Sequence, residues 1–436
     1  MVELAARADA PGGGRVNRLR SRPLPMVGWV MTSRSELAQA QRLLLGEQDG
    51  VVDELGLLAV HQAVSDRLFP GTSVLHTRLR YALFVPWLMR LAALERDPAR
   101  SLRDLEFALT GRLLHGTAGD REARRGIIGG RIHPVSAAAQ PASYSYWTAL
   151  AVWGLIGPQW TEAIPSREAV LEELSNLGTS KLALDADGQP LVERAVPFQA
   201  LPLIPDQLLK ASAGVSFRLE RAEREFLRRR LSVVRAPLTG PGESPHLSLL
   251  AKLASRRLKL DPSLQPWLDD RVMAAAETHD QEVLALAEGL SAVAGLARAA
   301  YLAMVEGACS TKGSTVGSRH RAWFDEMKAN LGRAALRLDM ARVQQLGLAG
   351  SGGPVTGLLQ ETQRYLRGQT TMSSLKAVYV AVESARKGPR ARLSGTRGAA
   401  VHLRDWARTA AEIRLAEPLH FRWPNVVRLL NDLHGK

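Results

Sequence analysis

Arginine-rich stretches hold the residues of this sequence that are best suited to binding an anionic ligand. One of them, "RRGIIGGRIHP", mixes basic residues with glycine and lies shortly before the aromatic segment "YSYWTALAVWGL". Glycine lets a ligand approach the backbone, arginine binds phosphate, and aromatic faces stack on bases. Arg131 and Tyr146 are therefore candidate nucleic-acid contacts. The alternative is that the aromatic residues belong to a packed core, because they recur at helical spacing among apolar residues.

A second stretch, "RKGPRARLSGTRGAAVHLR", carries six basic residues and no acidic residue. Its glycines and proline predict a loop, and a basic loop without acidic neighbours can follow a phosphate backbone. The candidate phosphate contacts are Arg386, Lys387, Arg390, Arg392 and Arg397. The alternative is that Arg390 and Arg392 pair with carboxylates elsewhere in the fold and hold the C-terminal helix. Those carboxylates would come from Asp405, Glu412 or Asp432.

A third stretch, "FPGTSVLHTRLRYALFVPW", places basic residues inside an apolar run. Its apolar residues recur at helical spacing, which predicts a helix with Arg80 on the solvent side. Arg78 and Tyr81 lie three residues apart on an adjoining face, and we expect them to approach Arg131 and Tyr146. These four residues would either bind a ligand or hold the glycine-rich loop by hydrogen bonds.

The sequence contains no complete catalytic signature. In "GACSTKGST" the lysine precedes the glycine, whereas a phosphate-binding loop needs Gly-Lys-Ser/Thr after a strand. The ten histidines include no pair at the one-turn spacing of helix-borne metal ligands, so we expect no metal and no cofactor. An unrecognised nuclease or glycosylase site would need a buried carboxylate beside Arg131. The candidates for that carboxylate are Asp53, Glu54, Asp325 and Glu326.

Composition favours a polyanionic partner. The net charge is +14, and 48 of the 57 basic residues are arginine. Each phosphate that such a surface neutralises releases condensed counterions, although an arginine-rich, lysine-poor composition is also typical of GC-rich genomes. The single cysteine excludes an internal disulfide, the N-terminus lacks an apolar signal region, and the run "YALFVPWLM" is too short to cross a bilayer. We therefore expect a cytoplasmic protein without a membrane segment.

Helical periodicity dominates the elements that must position these residues. It predicts an all-α, mainly helical, multi-lobed protein. Helices are expected, among others, over residues 57–68, 144–156, 321–346, 355–366 and 424–433. A capping box marks a helix start at Ser33, and Thr72 or Ser73 can cap the helix that contains Tyr81. The one β signal is "KLALDADGQPLVERAV", which predicts at most a small hairpin near residues 182–193.

Proline-rich segments predict the domain boundaries. Residues 1–25 read as a disordered basic arm, and residues 26–175 as an N-terminal helical domain. A connecting region follows over residues 176–245, and residues 246–436 form a C-terminal helical domain.

Motifs near both ends of the chain resemble those of a bacterial family of unknown function. They are "FPGTSVLHTRLRYALFVPW", "IIGGR", "YWTALAVWGL", "RARL" and "FRWPNVVRLLNDL". Little of the resemblance falls between Pro158 and Pro262. Genes of this family often lie in anti-phage defence islands, beside genes for helicases, nucleases or DNA methylases. The resemblance therefore implies a role in defence against foreign DNA, and it implies no established reaction.

These observations predict a nucleic-acid-binding accessory component of a bacterial anti-phage defence system, which contacts DNA or RNA phosphates through arginine-rich loops. Its expected protein partners are other defence proteins, such as a helicase, a nuclease or a methylase. One alternative is a DNA-processing enzyme with an unrecognised site. Another is a helical scaffold for a defence helicase, which would show a large apolar surface patch and no continuous positive stripe.

Overall fold

The computed structural model describes residues 53–157, 164–179, 197–210, 212–238, 243–310, 317–349 and 353–435. These residues form seventeen α-helices and two short 3-10 helices, and within them no strand occurs beyond two isolated bridges. The prediction of an all-α protein is therefore confirmed. The helices are α1 (Leu57–Leu68), α2 (Tyr81–Ala92), α3 (Pro98–Gly116), α4 (Ala142–Ser145), α5 (Trp147–Val152), α6 (Arg167–Thr179), α7 (Asp206–Leu209), α8 (Arg221–Leu231), α9 (Leu249–Ser255), α10 (Asp270–Met273), α11 (Thr278–Ser310), α12 (Arg319–Arg337), α13 (Met340–Gln345), α14 (Gly353–Leu366), α15 (Met372–Lys387), α16 (Arg397–Thr409) and α17 (Trp423–His434).

Helix α11, with 33 residues, lies at the centre of the core. By length and composition alone it could cross a membrane, but 83% of its most apolar window is buried inside the protein. It packs along α12 and also contacts α1, α14 and α16. Leu290, Val293 and Ala297 on this helix are fully buried. The helix is apolar around most of its circumference because neighbouring helices cover it.

Most predicted helices occur, but two of them are divided. The helix expected over residues 144–156 breaks at Tyr146 into α4 and α5. The helix expected over residues 321–346 breaks before Asp339, whose side chain accepts hydrogen bonds from the backbone N–H groups of Ala341 and Arg342. Asp339 thereby caps α13, and a capping carboxylate favours a new helix start over continuation.

Helix α2 begins at Tyr81, and the prediction that Thr72 or Ser73 caps this helix is wrong. The Thr72 hydroxyl donates to the carbonyl of Phe69 at 2.6 Å, and the Ser73 hydroxyl accepts from the backbone N–H of Leu75 at 3.2 Å. Both hydroxyls close local turns, which is the usual competitor of capping for these residue types. The chain before Tyr81 is therefore a turn-rich connection.

Residues from both ends of the chain share one hydrophobic core. Leu83 of the N-terminal segment and Leu430 of the C-terminal segment belong to the same buried cluster. The Asn425 side chain donates to the carbonyls of Val74 and His76 at 3.2 and 2.8 Å, which docks α17 on the connection before α2. The domain boundaries proposed above stay a prediction. The hairpin near residues 182–193, the basic arm over 1–25 and the capping box at Ser33 lie outside the described residues.

Candidate functional site

Arg78, predicted to face a ligand, is held by a carboxylate of the C-terminal helix. Its Nε and Nη2 atoms lie 3.0 and 2.8 Å from the two carboxylate oxygens of Asp432, and its guanidinium carbon lies 4.7 Å from the ring centre of Phe217. Asp432 also accepts from the backbone N–H of Leu79 at 2.9 Å. A bidentate and mostly buried pair of this kind fixes both geometry and orientation. Arg78 therefore holds α17 against the start of α2.

Tyr81 and Tyr146 are core residues, with 2% and 0% of their surface exposed. Their rings lie 5.4 Å apart. The Tyr146 hydroxyl accepts from the backbone N–H of Thr77 at 2.9 Å and donates to the carbonyl of Arg78 at 2.8 Å. Burial raises the pKa of both phenols, so both stay neutral. The two tyrosines meet Arg78 as predicted, but their burial removes them from the candidate nucleic-acid contacts.

The basic loop, residues 124–131, presents charged side chains from an ordered backbone. Arg124 and Arg131 are exposed. Neither pairs with a carboxylate within the described ranges. Gly126 and Gly129 adopt positive φ values of 90° and 76°, a region that glycine enters without the strain that a side chain would add. The loop thus turns twice at glycines and leaves its two outer arginines in solvent.

Three side chains from the neighbouring segments pin the basic loop. The Tyr81 hydroxyl accepts from the backbone N–H of Ile128 at 3.0 Å. The Thr77 hydroxyl donates to the carbonyl of Gly126 at 2.6 Å, and the Thr110 hydroxyl donates to the carbonyl of Ile128 at 3.1 Å. Tyr81 therefore holds the glycine-rich loop by a hydrogen bond, which was the structural alternative to a ligand-binding role.

Arg80 is buried, and the prediction that it is solvated is wrong. Its Nη2 atom lies 2.6 Å from a carboxylate oxygen of Glu223, and its Nη1 atom donates to the carbonyl of Ser216 at 2.8 Å. The prediction assumed a helix through residue 80. Because the helix starts only at Tyr81, helical spacing does not describe the direction of the Arg80 side chain.

The C-terminal basic run, residues 386–404, is mostly helical, and the prediction of a loop is wrong. Helix α15 continues to Lys387, a 3-10 turn spans Gly388–Arg390, and α16 begins at Arg397. Thr396 caps α16 by accepting a hydrogen bond from the backbone N–H of Ala399. The glycines and the proline therefore mark the joint between two helices and not an extended loop.

Acidic residues far away in sequence neutralise part of this run. The Nε atom of Arg386 donates to the carbonyl of Asp53 at 2.8 Å. Lys387 and Arg392 lie 3.2 and 3.0 Å from the same carboxylate oxygen of Glu54. We call these five residues the Glu54 cluster. The alternative that Arg392 pairs with a distant carboxylate occurs, but its partner is Glu54 and not one of the three carboxylates expected from the sequence.

A second buried carboxylate fixes the "RARL" motif. Glu383 is fully buried and accepts from the backbone N–H groups of Arg392 and Leu393 at 2.8 and 2.9 Å. The Tyr301 hydroxyl donates to the same carboxylate at 2.6 Å. Three donors satisfy the buried charge, so this carboxylate orders the backbone of the motif. The motif is therefore a structural feature of the joint between α15 and α16.

Burial and the surrounding cations act in opposite directions on the two acids of the Glu54 cluster. For Glu54, burial raises the pKa, but Lys387, Arg392 and Arg298 outweigh it and the pKa lies below its ordinary value. For Asp53, burial is dominant and raises the pKa despite Arg386 and the backbone N–H groups that the carboxylate accepts. Those N–H groups begin α1, so Asp53 also stabilises the start of that helix.

Among the predicted phosphate contacts of the C-terminal basic run, Arg390 and Arg397 are exposed, and Arg386 is exposed as well although Asp53 engages its guanidinium. Neither Arg390 nor Arg397 forms an ion pair in the part of the chain that the structure describes. Together with Arg404, the run therefore contributes three exposed arginines without an ion pair among the described residues, whereas Arg386, Lys387 and Arg392 are engaged in the Glu54 cluster.

The four carboxylates considered for a DNA-processing site contact other residues than Arg131 or lie in solvent, within the described ranges. Asp53 and Glu54 contact cations of the C-terminal basic run. Asp325 and Glu326 are exposed on α12, and Asp325 lies 4.0 Å from Arg321 one turn earlier. Among the described residues, none of these four carboxylates pairs with Arg131.

One group of residues has the donor types of a metal site. Glu277, His279 and Asp280 place ligand atoms within 4.8 Å of one another. The ammonium of Lys252 lies 2.9 Å from Glu277 and 2.5 Å from Asp280. Lysine thus supplies the positive charge that a metal ion would bring, and the cluster is complete as an ionic network.

A cavity that the sequence analysis missed lies where three of the quoted motifs meet. We call it the motif cavity. It has a volume of about 500 Å³ and is bounded by α1, the connection over residues 70–76, α4 and α5, and Arg422. Trp153 donates to the carbonyl of Pro70 at 3.1 Å, which holds that connection against α5. The feature of the sequence that could have indicated this cavity is the concentration of polar and aromatic residues in motifs that lie far apart in the chain.

The comparisons with known proteins find one resemblance, which covers part of the chain. No curated protein and no solved structure matches the chain. Residues 24–167, which include the basic loop and much of the motif cavity, match a family of unknown function (DUF6361), and the predicted resemblance to such a family is confirmed over this range.

Proposed function

We propose that this protein binds nucleic acid through phosphate contacts made by exposed arginines, with Arg124 and Arg131 of the basic loop as the main contacts. The observation that carries the proposal is the combination of an ordered backbone with unpaired charge. Three hydrogen bonds hold the loop in place, while both arginines are exposed and have no carboxylate partner among the described residues. An ordered loop loses little conformational entropy when it binds a phosphate.

Arg390 and Arg397 extend the proposed surface. They are exposed, and the net charge of +14 adds a long-range attraction for any polyanion. Phosphate contacts carry no direct sequence information, so binding should depend strongly on salt and weakly on base sequence. Within the proposal, the protein acts in the cytoplasm as an accessory component of anti-phage defence, beside a helicase, nuclease or methylase. The family resemblance is the support for that context.

Fluorescence anisotropy with a short labelled DNA or RNA, measured over a series of salt concentrations, tests the proposal. We expect the double variant Arg124→Ala/Arg131→Ala to bind more weakly. The slope of log affinity against log salt should fall by about 0.7 to 0.9 for each phosphate that the variant no longer neutralises.

The matched control is Arg229→Ala/Arg333→Ala, which removes the same charge from exposed positions on α8 and α12. It should retain most of the affinity and of the slope. If both double variants lost the same affinity, net charge alone would explain the binding. Unchanged affinity in the loop variant would refute the proposed surface.

A further inference from the structure

The motif cavity contains a buried histidine with unused hydrogen-bonding atoms. His61 is 2% exposed, and neither ring nitrogen has a partner among the described residues. Its ring contributes to the wall of the motif cavity and of a smaller cavity of about 140 Å³. Burial lowers the pKa of His61 well below its ordinary value, and Arg422 and His420 add to this effect. A neutral imidazole has one donor and one acceptor, and both ring nitrogens are enclosed in the cavity wall.

A second polar atom in the cavity is also unused. The side-chain carbonyl oxygen of Gln140 is buried and has no partner within the part of the chain that is described. Buried polar atoms normally have hydrogen-bond partners, because burial without one costs about 1 to 3 kcal/mol. Both residues belong to the wall of the motif cavity, so a polar ligand seated there would supply the hydrogen-bond partners that these enclosed atoms lack once their side chains turn toward it.

The charge of the cavity wall selects an anion. Arg167, Arg235 and Arg422 line it, and Asp66 is the one carboxylate among its described lining residues. The Nη1 atom of Arg422 lies 2.5 Å from Asp66, so that carboxylate is already paired. Arg235 is exposed at the cavity and has no ion pair within the described ranges. The wall therefore keeps an excess of positive charge.

The backbone is strained at Arg422, whose side chain forms part of the cavity wall. Phe421 and Arg422 both adopt positive φ values, 47° and 62°. Such conformations are costly for residues other than glycine and persist where the surrounding structure enforces them, often at functional sites. Here α17 starts directly after Arg422, and the guanidinium reaches the carbonyl of Thr72 at 2.6 Å.

Aromatic rings accompany the arginines. The guanidinium carbon of Arg167 lies 5.0 Å from the ring centre of Tyr144, and Trp147 forms another part of the wall. The volume of about 500 Å³ falls in the range of small-molecule sites and is far larger than a phosphate ion requires. Cations, aromatic rings and paired donor and acceptor atoms together match a ligand with an anionic group, a planar ring and polar edges.

We propose that the motif cavity binds a nucleoside monophosphate, with its arginines contacting the phosphate and His61 and Gln140 contacting the base or sugar. This site is separate from the basic loop and does not depend on nucleic-acid binding there.

Isothermal titration of the full chain with AMP, GMP, CMP and UMP tests the inference. We expect at least one of the four to bind, and to bind more tightly than the matching nucleoside or inorganic phosphate alone. Arg167→Ala/Arg235→Ala should weaken binding by about ten-fold or more, because each charge-assisted hydrogen bond contributes strongly to affinity. Thr148→Trp should also weaken it, since residue 148 is exposed at the cavity and a large side chain there obstructs it.

Two controls locate the binding. Arg229→Ala removes an exposed arginine outside the cavity and should leave the affinity unchanged. Arg124→Ala/Arg131→Ala should also bind the monophosphate like the wild type, whatever its effect on DNA. The absence of binding by all four monophosphates would overturn the inference. So would equal affinity for phosphate alone, or wild-type affinity in both cavity variants.

Discussion

The basic loop and the C-terminal basic run look alike in sequence, but the fold uses their charges differently. Both combine arginine with glycine. In the basic loop, neutral groups hold the backbone and the outer arginines point to solvent. In the C-terminal basic run, carboxylates from Asp53 and Glu54 engage three of the basic residues. Local charge pattern therefore does not decide whether an arginine is free.

The difference follows from the range of the interactions. A hydrogen bond to the loop backbone needs a neighbour of suitable geometry: Thr77 donates to the carbonyl of Gly126, and Tyr81 accepts from the N–H of Ile128. The Glu54 cluster instead joins residues more than 330 positions apart in the chain. Only folding brings these charges together, and it does so where partial burial strengthens their attraction.

The largest expected effect is on the Glu54 cluster. Glu54→Gln leaves Lys387 and Arg392 without their shared carboxylate, and we expect the free energy of unfolding to fall by about 3 kcal/mol or more. Denaturant titration measures the loss. The matched control is Glu122→Gln, which removes the exposed pair with Arg125 beside the basic loop and should cost less than about 0.5 kcal/mol. Similar losses in the two variants would show that the buried pairs of the Glu54 cluster stabilise the fold no more than the exposed pair beside the basic loop.

The pH dependence of stability should report the same cluster. The folded-state pKa of Glu54 lies below its ordinary value of 4.5, so its ionised form stabilises the fold above that pH. This contribution is lost as the pH falls from about 4.5 through the lowered folded-state pKa. Asp53 acts in the opposite direction, because its raised pKa favours the protonated folded state.

Unfolding measured across this acidic range should therefore show a steeper loss of stability on acidification in the wild type than in Glu54→Gln. An equal or steeper loss in the variant would contradict the assigned role of Glu54. Glu122→Gln should follow the wild-type curve, because its side chain is exposed.

The smallest expected effect concerns the anchor of the basic loop. Tyr81→Phe removes the acceptor of the Ile128 N–H and should cost about 1 to 2 kcal/mol. Amide hydrogen exchange at Ile128 should accelerate, and nucleic-acid binding should weaken as the loop loses its fixed shape. The matched control is Tyr379→Phe, a buried tyrosine whose hydroxyl contacts Thr362. Tyr379→Phe should lose similar stability without faster exchange at Ile128 and without weaker nucleic-acid binding. If both variants weakened binding equally, the order of the basic loop would not be what supports binding.

The sequence predicted much of the helical fold because helical periodicity is local. Periodicity placed α1 with its observed ends and α17 to within one residue at each end. We also predicted that Arg78, Tyr81, Arg131 and Tyr146 approach one another. Arg78 and the two tyrosines do meet, and the burial of the tyrosines matches the alternative that the aromatic residues belong to the core. Arg80 was misassigned because a turn replaces the expected helix, and turn geometry depends on contacts outside the segment.

By itself the sequence determined the all-α class, the net charge of +14 and the motifs of a family of unknown function. These properties depend on composition or on residues within a few turns of one another. Only the tertiary structure decided that Glu54 engages Lys387 and Arg392 and that Arg390 and Arg397 stay in solvent. Only the tertiary structure also assembled the motif cavity from His61, Arg167 and Arg422. Ion pairing and cavity shape depend on distances in space, which the chain fixes only when its distant segments pack together.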